Sequence, residues 1–155
     1  MNLSLNETHL MNCIDGMQLM DAESVDLVVT SPPYDDLRTY NDSSKWDHEV
    51  FKSVADNLTR VLKNGGVIMW NVNDATIKGS ESGSSFRQCL YFMDQCGLRL
   101  HDTMIYEKTG TAFASGPKSV RYTQIFEYCF ILSKGKPKTI NLIQDKKNAW
   151  AGYTS

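Results

Sequence analysis

"DLVVTSPPY", residues 26–34, decides how the rest of the chain is read. Leu27-Val28-Val29-Thr30 is a run of β-forming residues, and Ser31-Pro32-Pro33-Tyr34 ends it abruptly. Proline donates no ladder hydrogen bond and fixes its own φ, so a Pro-Pro pair cannot continue an interior strand. The stretch therefore predicts a strand over Ser24–Thr30 that closes on a rigid, shaped turn. In open α/β sheets ligands bind outside the carboxyl ends of strands, which makes this turn the first candidate site.

On either side the pattern alternates between strand and helix. Between Asp47 and Lys63 the residues Val50, Phe51, Val54, Ala55, Leu58, Val61 and Leu62 recur at helical spacing, with Asn64-Gly65-Gly66 as a left-handed stop. Gly66–Val72 is continuously apolar, the pattern of a strand covered on both faces. A Gly/Ser-rich loop follows over Ala75–Ser85, then a second amphipathic helix through Phe86, Cys89, Leu90, Met93 and Cys96, ending at Gly97. His101–Lys108 and Gln124–Ser133 read as two further strands joined by a mobile loop, TGTAFASGPKS. At the start of the chain, Thr8–Ile14 reads as a first strand and Asp15–Met20 as a short helical turn. The expected class is α/β, a mostly parallel sheet with an antiparallel end and helices on both faces.

A chain of 155 residues supports one domain with its own core. No apolar stretch approaches the length that crosses a bilayer, and the N-terminus lacks the basic start and apolar core of a signal peptide. Cys13, Cys89, Cys96 and Cys129 form no CxxC pair and read as buried free thiols in a reducing cytosol. His9, His48 and His101 have no metal-ligand spacing. The net charge of −2 hides an asymmetry: residues 1–60 hold 11 acidic against 4 basic side chains, and residues 61–155 hold 7 against 12. Lys134, Lys136, Lys138, Lys146 and Lys147 crowd toward the end, a surface for a polyanion or a plain solvated face.

The SPPY turn offers a hydroxyl (Ser31), a carbonyl with no adjacent N–H (Pro32, followed by another proline) and a flat aromatic ring (Tyr34). Two acceptors beside a stacking surface suit a planar ring bearing an amino group. An exocyclic amine of a base is a poor nucleophile because its lone pair is delocalised into the ring. Acceptors that draw both N–H bonds toward tetrahedral geometry localise that pair and aim it at an activated methyl carbon, through positioning and preorganised dipoles. No Pro-Cys dipeptide is present to serve a covalent mechanism on a pyrimidine carbon. The other reading of Pro-Pro is plain punctuation between a strand and a loop.

These residues resemble the amino-specific DNA methyltransferases that modify adenine N6 or cytosine N4, whose catalytic motif is (Asp/Asn/Ser)-Pro-Pro-(Tyr/Phe). The likeness extends through ESVDLVVTSPPYDDLRTY, VLKNGGVIMWNVND and FEYCFILSKGKPKTINLIQDKKN. The order of motifs is similar to the permuted subgroup in which the catalytic half precedes the cofactor half. The resemblance implies a partial Rossmann-like methyltransferase sheet, with residues 1–155 as its catalytic portion. It also implies S-adenosylmethionine as methyl donor, DNA as partner, and a cytoplasmic location. A Phe-x-Gly-x-Gly cofactor loop is expected and is missing from this sequence. The expected consequences are a gap in the sheet between Thr8–Ile14 and Ser24–Thr30, weak or no donor binding by this chain alone, and a separate cofactor-binding half or a second copy as partner.

Residue by residue, the resemblance makes Ser31, Pro32 and Tyr34 catalytic, with Pro33 shaping the turn. Asn12-Cys13 stands where the family often has an acidic residue facing the donor's adenine. Asn71 and Asp74 either line the pocket or cap the turn after their strand. Arg38 and Tyr40 either touch the flipped base and its phosphates or belong to the surface of an ordered loop. Lys134, Lys136 and Lys138, on alternate residues of an extended segment, are expected at phosphates. Asp35 and Asp36 read as solvated or capping carboxylates, Glu127 as an edge or outward-facing one, and Trp70 as core. Serine at the first motif position leans toward cytosine N4. Methylation of an RNA base or a protein amide, and a truncated or split remnant that only binds DNA or a partner subunit, are the competing readings.

Overall fold

The computed structural model describes residues 3–34, 46–109 and 124–141. Helix α1 (Cys13–Gln18) is followed by strand β1 (Val25–Thr30), helix α2 (His48–Val61) and strand β2 (Leu62–Val72). A small hairpin of β3 (Thr76–Ile77) and β4 (Ser80–Glu81) leads into helix α3 (Ser84–Asp94), then β5 (Arg99–Glu107) and β6 (Phe126–Ser133). The loop expected over TGTAFASGPKS lies, from Gly110 onward, outside the described residues.

The sheet order is β1-β2-β6-β5, with β1 and β2 parallel and β6 antiparallel to both of its neighbours. The α/β class holds, but the expectation of a mostly parallel sheet is corrected to one parallel and two antiparallel ladders. The reason is one strand. β1, β2 and β5 all run in one direction, and β6 returns against them and inserts between β2 and β5. A reversed strand placed inside the sheet, rather than at its end, makes both of its ladders antiparallel.

Helix α2 starts where Asp47 Oδ1 accepts from the backbone N–H groups of Glu49 and Val50, both at 3.0 Å. It buries Phe51, Val54, Ala55, Leu58 and Val61, the stripe expected from their spacing. It ends earlier than expected, because Leu62 is already extended. Gly65, at φ +81°, serves a bulge in β2 rather than a helix cap. Three residues of β1, from Val25 to Leu27, lie against six of β2, from Leu62 to Val67. A Cβ on Gly65 would meet Lys138 Cγ at 2.5 Å. The Gly65 N–H donates to the Lys134 carbonyl, and its own carbonyl accepts from the Lys138 N–H.

The expected strand over Thr8–Ile14 is absent; Cys13 and Ile14 open α1 instead. Asn12 Oδ1 accepts from the Ile14 N–H at 2.8 Å and caps the helix. Leu10 is fully exposed, so its side chain finds no apolar neighbour, and among the described residues no strand pairs with this segment. Cys13 is exposed and Cys96 half-buried, against the expectation of four buried thiols; Cys89 and Cys129 are buried, and all four are free. The expected loop over Ala75–Ser85 contains the β3–β4 hairpin, whose turn residues Lys78 and Gly79 both take positive φ.

Phe51, Trp70 and Phe92 form the centre of the core, with ring centroids 5.2–5.9 Å apart. Trp70 Nε1 donates to Gln88 Oε1 at 2.9 Å, which satisfies both buried groups. The described helices form one layer, α1 on α2 and α2 on α3, over the face that carries Ile68, Trp70, Val72, Phe130 and Leu132. On the other face Leu27 and Val29 are 60% and 65% exposed. Helices on both faces are thus not found among the described residues.

Candidate active site

Thr30, the last residue of β1, pairs with Trp70 of β2, so Ser31 emerges beside Asn71. Asn71 in turn pairs with Cys129 of β6. Glu127, two residues before Cys129, lies on the same face because side chains alternate along a strand. The core takes the opposite set (Trp70, Val72, Phe130), which leaves Asn71, Cys129 and Glu127 to meet the SPPY turn.

They meet it at Tyr34. Its hydroxyl donates to Glu127 Oε2 at 2.7 Å and lies 3.0 Å from Ser31 Oγ. Asn71 Nδ2 donates to the same Glu127 oxygen at 2.6 Å and to the Tyr34 hydroxyl at 3.1 Å. Asn71 Oδ1 accepts from Cys129 Sγ at 2.9 Å. Lys108, just past β5, completes the cluster with Nζ 2.5 Å from Glu127 Oε1. Ser31 is exposed, Pro32 buried, and Pro33 and Tyr34 half-buried. The Tyr34 ring packs partly against the core, so the platform is a ring anchored at its hydroxyl.

Burial pushes the Tyr34 phenol up to about 12; the Ser31 hydrogen bond opposes this, and the Glu127 charge reinforces it. Burial also pushes the Glu127 carboxyl up, but hydrogen bonds from Lys108, Tyr34 and Asn71 outweigh it, and the net shift is below the usual carboxylate value. Burial, then the Glu127 charge, raise the Cys129 thiol. At neutral pH the cluster therefore holds a neutral phenol, a neutral thiol and an ionised carboxylate.

The structure does not bring every expected residue here. Asp74 is buried and accepts from Ser82, Ser84 and Ser85, fastening the hairpin to the start of α3. Asn12 caps α1, which is tied through the Met17 and Met20 carbonyls to Arg60 in the last turn of α2. That end of α2 meets Glu23 and Ser24, the residues just before β1, opposite the Ser31 end. Among the described residues no hydrogen bond joins Asn12 or Cys13 to the Ser31 cluster. Asn12 is engaged as a cap and Asn71 at both ends of its amide.

Lys134 Nζ donates to the carbonyls of Thr59 and Leu62 at the end of α2 and pairs with Glu23 at 3.2 Å. Lys136 and Lys138 are exposed. Arg38, Tyr40, Asp35 and Asp36 lie outside the described residues. The residue missed by sequence reasoning is Glu127, which is not outward-facing but 8% exposed. A carboxylate inside the apolar run FEYCFIL was a usable signal, since a buried charge requires partners.

A family model described as DNA methylase matches residues 25–153. The orphan methyltransferase M.BamHII of Bacillus amyloliquefaciens is 60% identical over 127 residues, covering 82% of this chain and 45% of that protein. Among solved structures, the PvuII DNA methyltransferase (cytosine-N4-specific) superposes with a TM-score of 0.70 at 21% identity, over 84% of this chain and 50% of that one. The M1.HpyAVI–SAM complex gives a TM-score of 0.51 at 18% identity, over 87% and 56%. At these identities the structural matches speak for the fold. The chain spans about half the length of the curated relatives it matches.

Proposed function

This chain belongs to the DNA methylase family, and on that premise we propose that it is the catalytic part of an enzyme that methylates the exocyclic amine of a base swung out of DNA. The observation that carries the proposal is the Ser31–Tyr34 turn, held at the end of β1 by Asn71 and Glu127. In this reading Ser31 Oγ and the Pro32 carbonyl accept the two amine protons, and the base stacks on Tyr34. Stacking on an aromatic side chain contributes roughly 1–3 kcal/mol, against an extrusion cost of a few kcal/mol. S-adenosylmethionine, when bound, supplies the activated methyl group; Ser31 and Pro32 hold the nitrogen lone pair toward it. Cytosine N4 is favoured over adenine N6, from the serine at the first motif position.

Lys136 and Lys138, together with Arg38 and Tyr40, are assigned to DNA phosphates and the flipped base. Lys134 is left to the α2 terminus. On this reading the protein works on DNA in the cytoplasm. The test is a Ser31→Ala change, expected to lower turnover by about a hundredfold or more while DNA binding stays within about twofold. Equal loss of both would remove Ser31 from the chemistry.

A second reading is favoured by one observation: the residues expected to hold the donor are engaged within the fold. In that reading the chain is one part of a two-part enzyme, or a remnant that binds DNA or a partner subunit. Adding a separate cofactor-binding half distinguishes them, since a split enzyme gains methyl transfer and a remnant does not.

A further inference from the structure

We propose that Glu127 is a positioning residue: it fixes the direction of the Ser31–Tyr34 hydrogen bond, so that Ser31 meets the base as an acceptor and the site selects an amine over a carbonyl. The inference rests on the base-binding reading above and follows from counting protons. Tyr34 has one hydroxyl proton and three polar neighbours: Glu127 Oε2 at 2.7 Å, Ser31 Oγ at 3.0 Å and Asn71 Nδ2 at 3.1 Å. An ionised carboxylate only accepts, and an amide NH2 only donates. The Tyr34 proton therefore goes to Glu127, and the Tyr34 oxygen accepts from Asn71. The Ser31–Tyr34 contact then has one consistent direction, with Ser31 donating. Its proton is committed inward, and only the lone pairs of Ser31 Oγ face out.

The groups around Glu127 hold this state. Lys108 approaches from the end of β5 at 2.5 Å and keeps the carboxylate charged. Tyr106 is its cross-strand neighbour on β5. Cys129 on β6 is a neutral donor to Asn71 and so turns the Asn71 NH2 toward Glu127 and Tyr34. Were Glu127 replaced by an amide, its NH2 would be free to donate to the Tyr34 oxygen. Tyr34 would then donate to Ser31, and the serine proton would point at the ligand. Such a site accommodates a carbonyl as readily as an amine.

The experiment titrates isotope-labelled chain with deoxycytidine monophosphate and with deoxyuridine monophosphate, which differ in an amine against a carbonyl. Amide chemical shifts report binding for wild type, Glu127→Gln, Tyr34→Phe and the double variant. Wild type is expected to prefer the amine-bearing nucleotide about tenfold or more. Each single variant is expected to reduce that preference to about twofold, because the Pro32 carbonyl remains, and the double variant to reduce it no further. A Glu127→Gln variant that keeps the tenfold preference overturns the proposal, as does a double variant whose losses add. If Glu127→Gln does not fold, Tyr34→Phe decides by the same criterion. If wild type binds neither nucleotide, the base-pocket reading is what fails. The relay is then judged by carbon-13 titration of the Tyr34 phenol: a midpoint moving down from about 12 in Glu127→Gln supports it, and an unmoved midpoint overturns it.

Discussion

Strands β2 and β6 carry two sets of residues that differ only in parity, and the two sets serve opposite ends. Ile68, Trp70 and Val72 with Phe130 and Leu132 point at the helices and are at most 4% exposed. Asn71, Glu127 and Cys129, one residue out of step, point the other way and hold the Ser31–Tyr34 turn. The first set is apolar and packed against α2 and α3. The second is hydrogen-bonded to one turn, on a face where Leu27 and Val29 remain in solvent. A period of two thus separates the residues packed against the helices from those joined to the Ser31–Tyr34 turn. Substitutions on the helix face should move stability, and those on the other face should move binding and turnover.

The largest stability effect is expected at Trp70→Ala. Losing this buried ring and its bond to Gln88 should cost about 3–5 kcal/mol, read as a lower urea midpoint; a loss under about 1 kcal/mol would break the comparison. Next comes Asp74→Asn, a substitution away from both sets, expected to cost about 2 kcal/mol. Burial alone would raise the Asp74 carboxyl, but the hydroxyls of Ser82, Ser84 and Ser85 and the Ser85 N–H hold it below its usual value. Its stabilising effect is therefore complete above the unfolded carboxyl range, near pH ~4, and is lost as pH falls through the lower folded value. Acid unfolding of Asp74→Asn should accordingly be less steep than that of wild type.

A smaller effect, about 1 kcal/mol, is expected for Lys134→Met, which uncovers the Thr59 and Leu62 carbonyls. Lys136→Ala and Lys138→Ala should leave stability within about 0.5 kcal/mol and instead reduce the salt dependence of DNA binding by about one unit of slope each. An unchanged slope would return these two lysines to an ordinary solvated face. Smallest of all, Leu27→Gln and Val29→Thr should stay within about 0.5 kcal/mol in this chain, because their side chains are mostly in solvent. A larger loss would mean that the open face contributes to stability.

Much of this was legible from local pattern. The apolar stripe of α2, the continuous run of β2 and the prolines after β1 each announce an element through neighbours within a few residues. What was not legible depends on partners far along the chain. The insertion of β6 between β2 and β5 turns a set of mostly codirectional strands into a mostly antiparallel ladder, and no local period encodes that choice. Thr8–Ile14 looked like a strand by composition, yet a strand needs an edge to pair with, and Asn12 capped a helix that Cys13 and Ile14 open. Gly65 announced a left-handed turn correctly but in the service of a β-bulge. Glu127 is 93 residues from Tyr34; its position within FEYCFIL showed that it needed partners, without showing which.

The claim at the centre is that this turn holds an exocyclic amine of a DNA base for methylation. The direct measurement supplies the chain and a separate cofactor-binding half with methyl-labelled S-adenosylmethionine, and offers DNA, RNA and protein side by side. The account predicts label on an exocyclic amine in DNA, at cytosine N4 first, and its loss in Ser31→Ala. Label on a ring carbon, on RNA or on protein in preference to DNA, or transfer undiminished by Ser31→Ala, would contradict it.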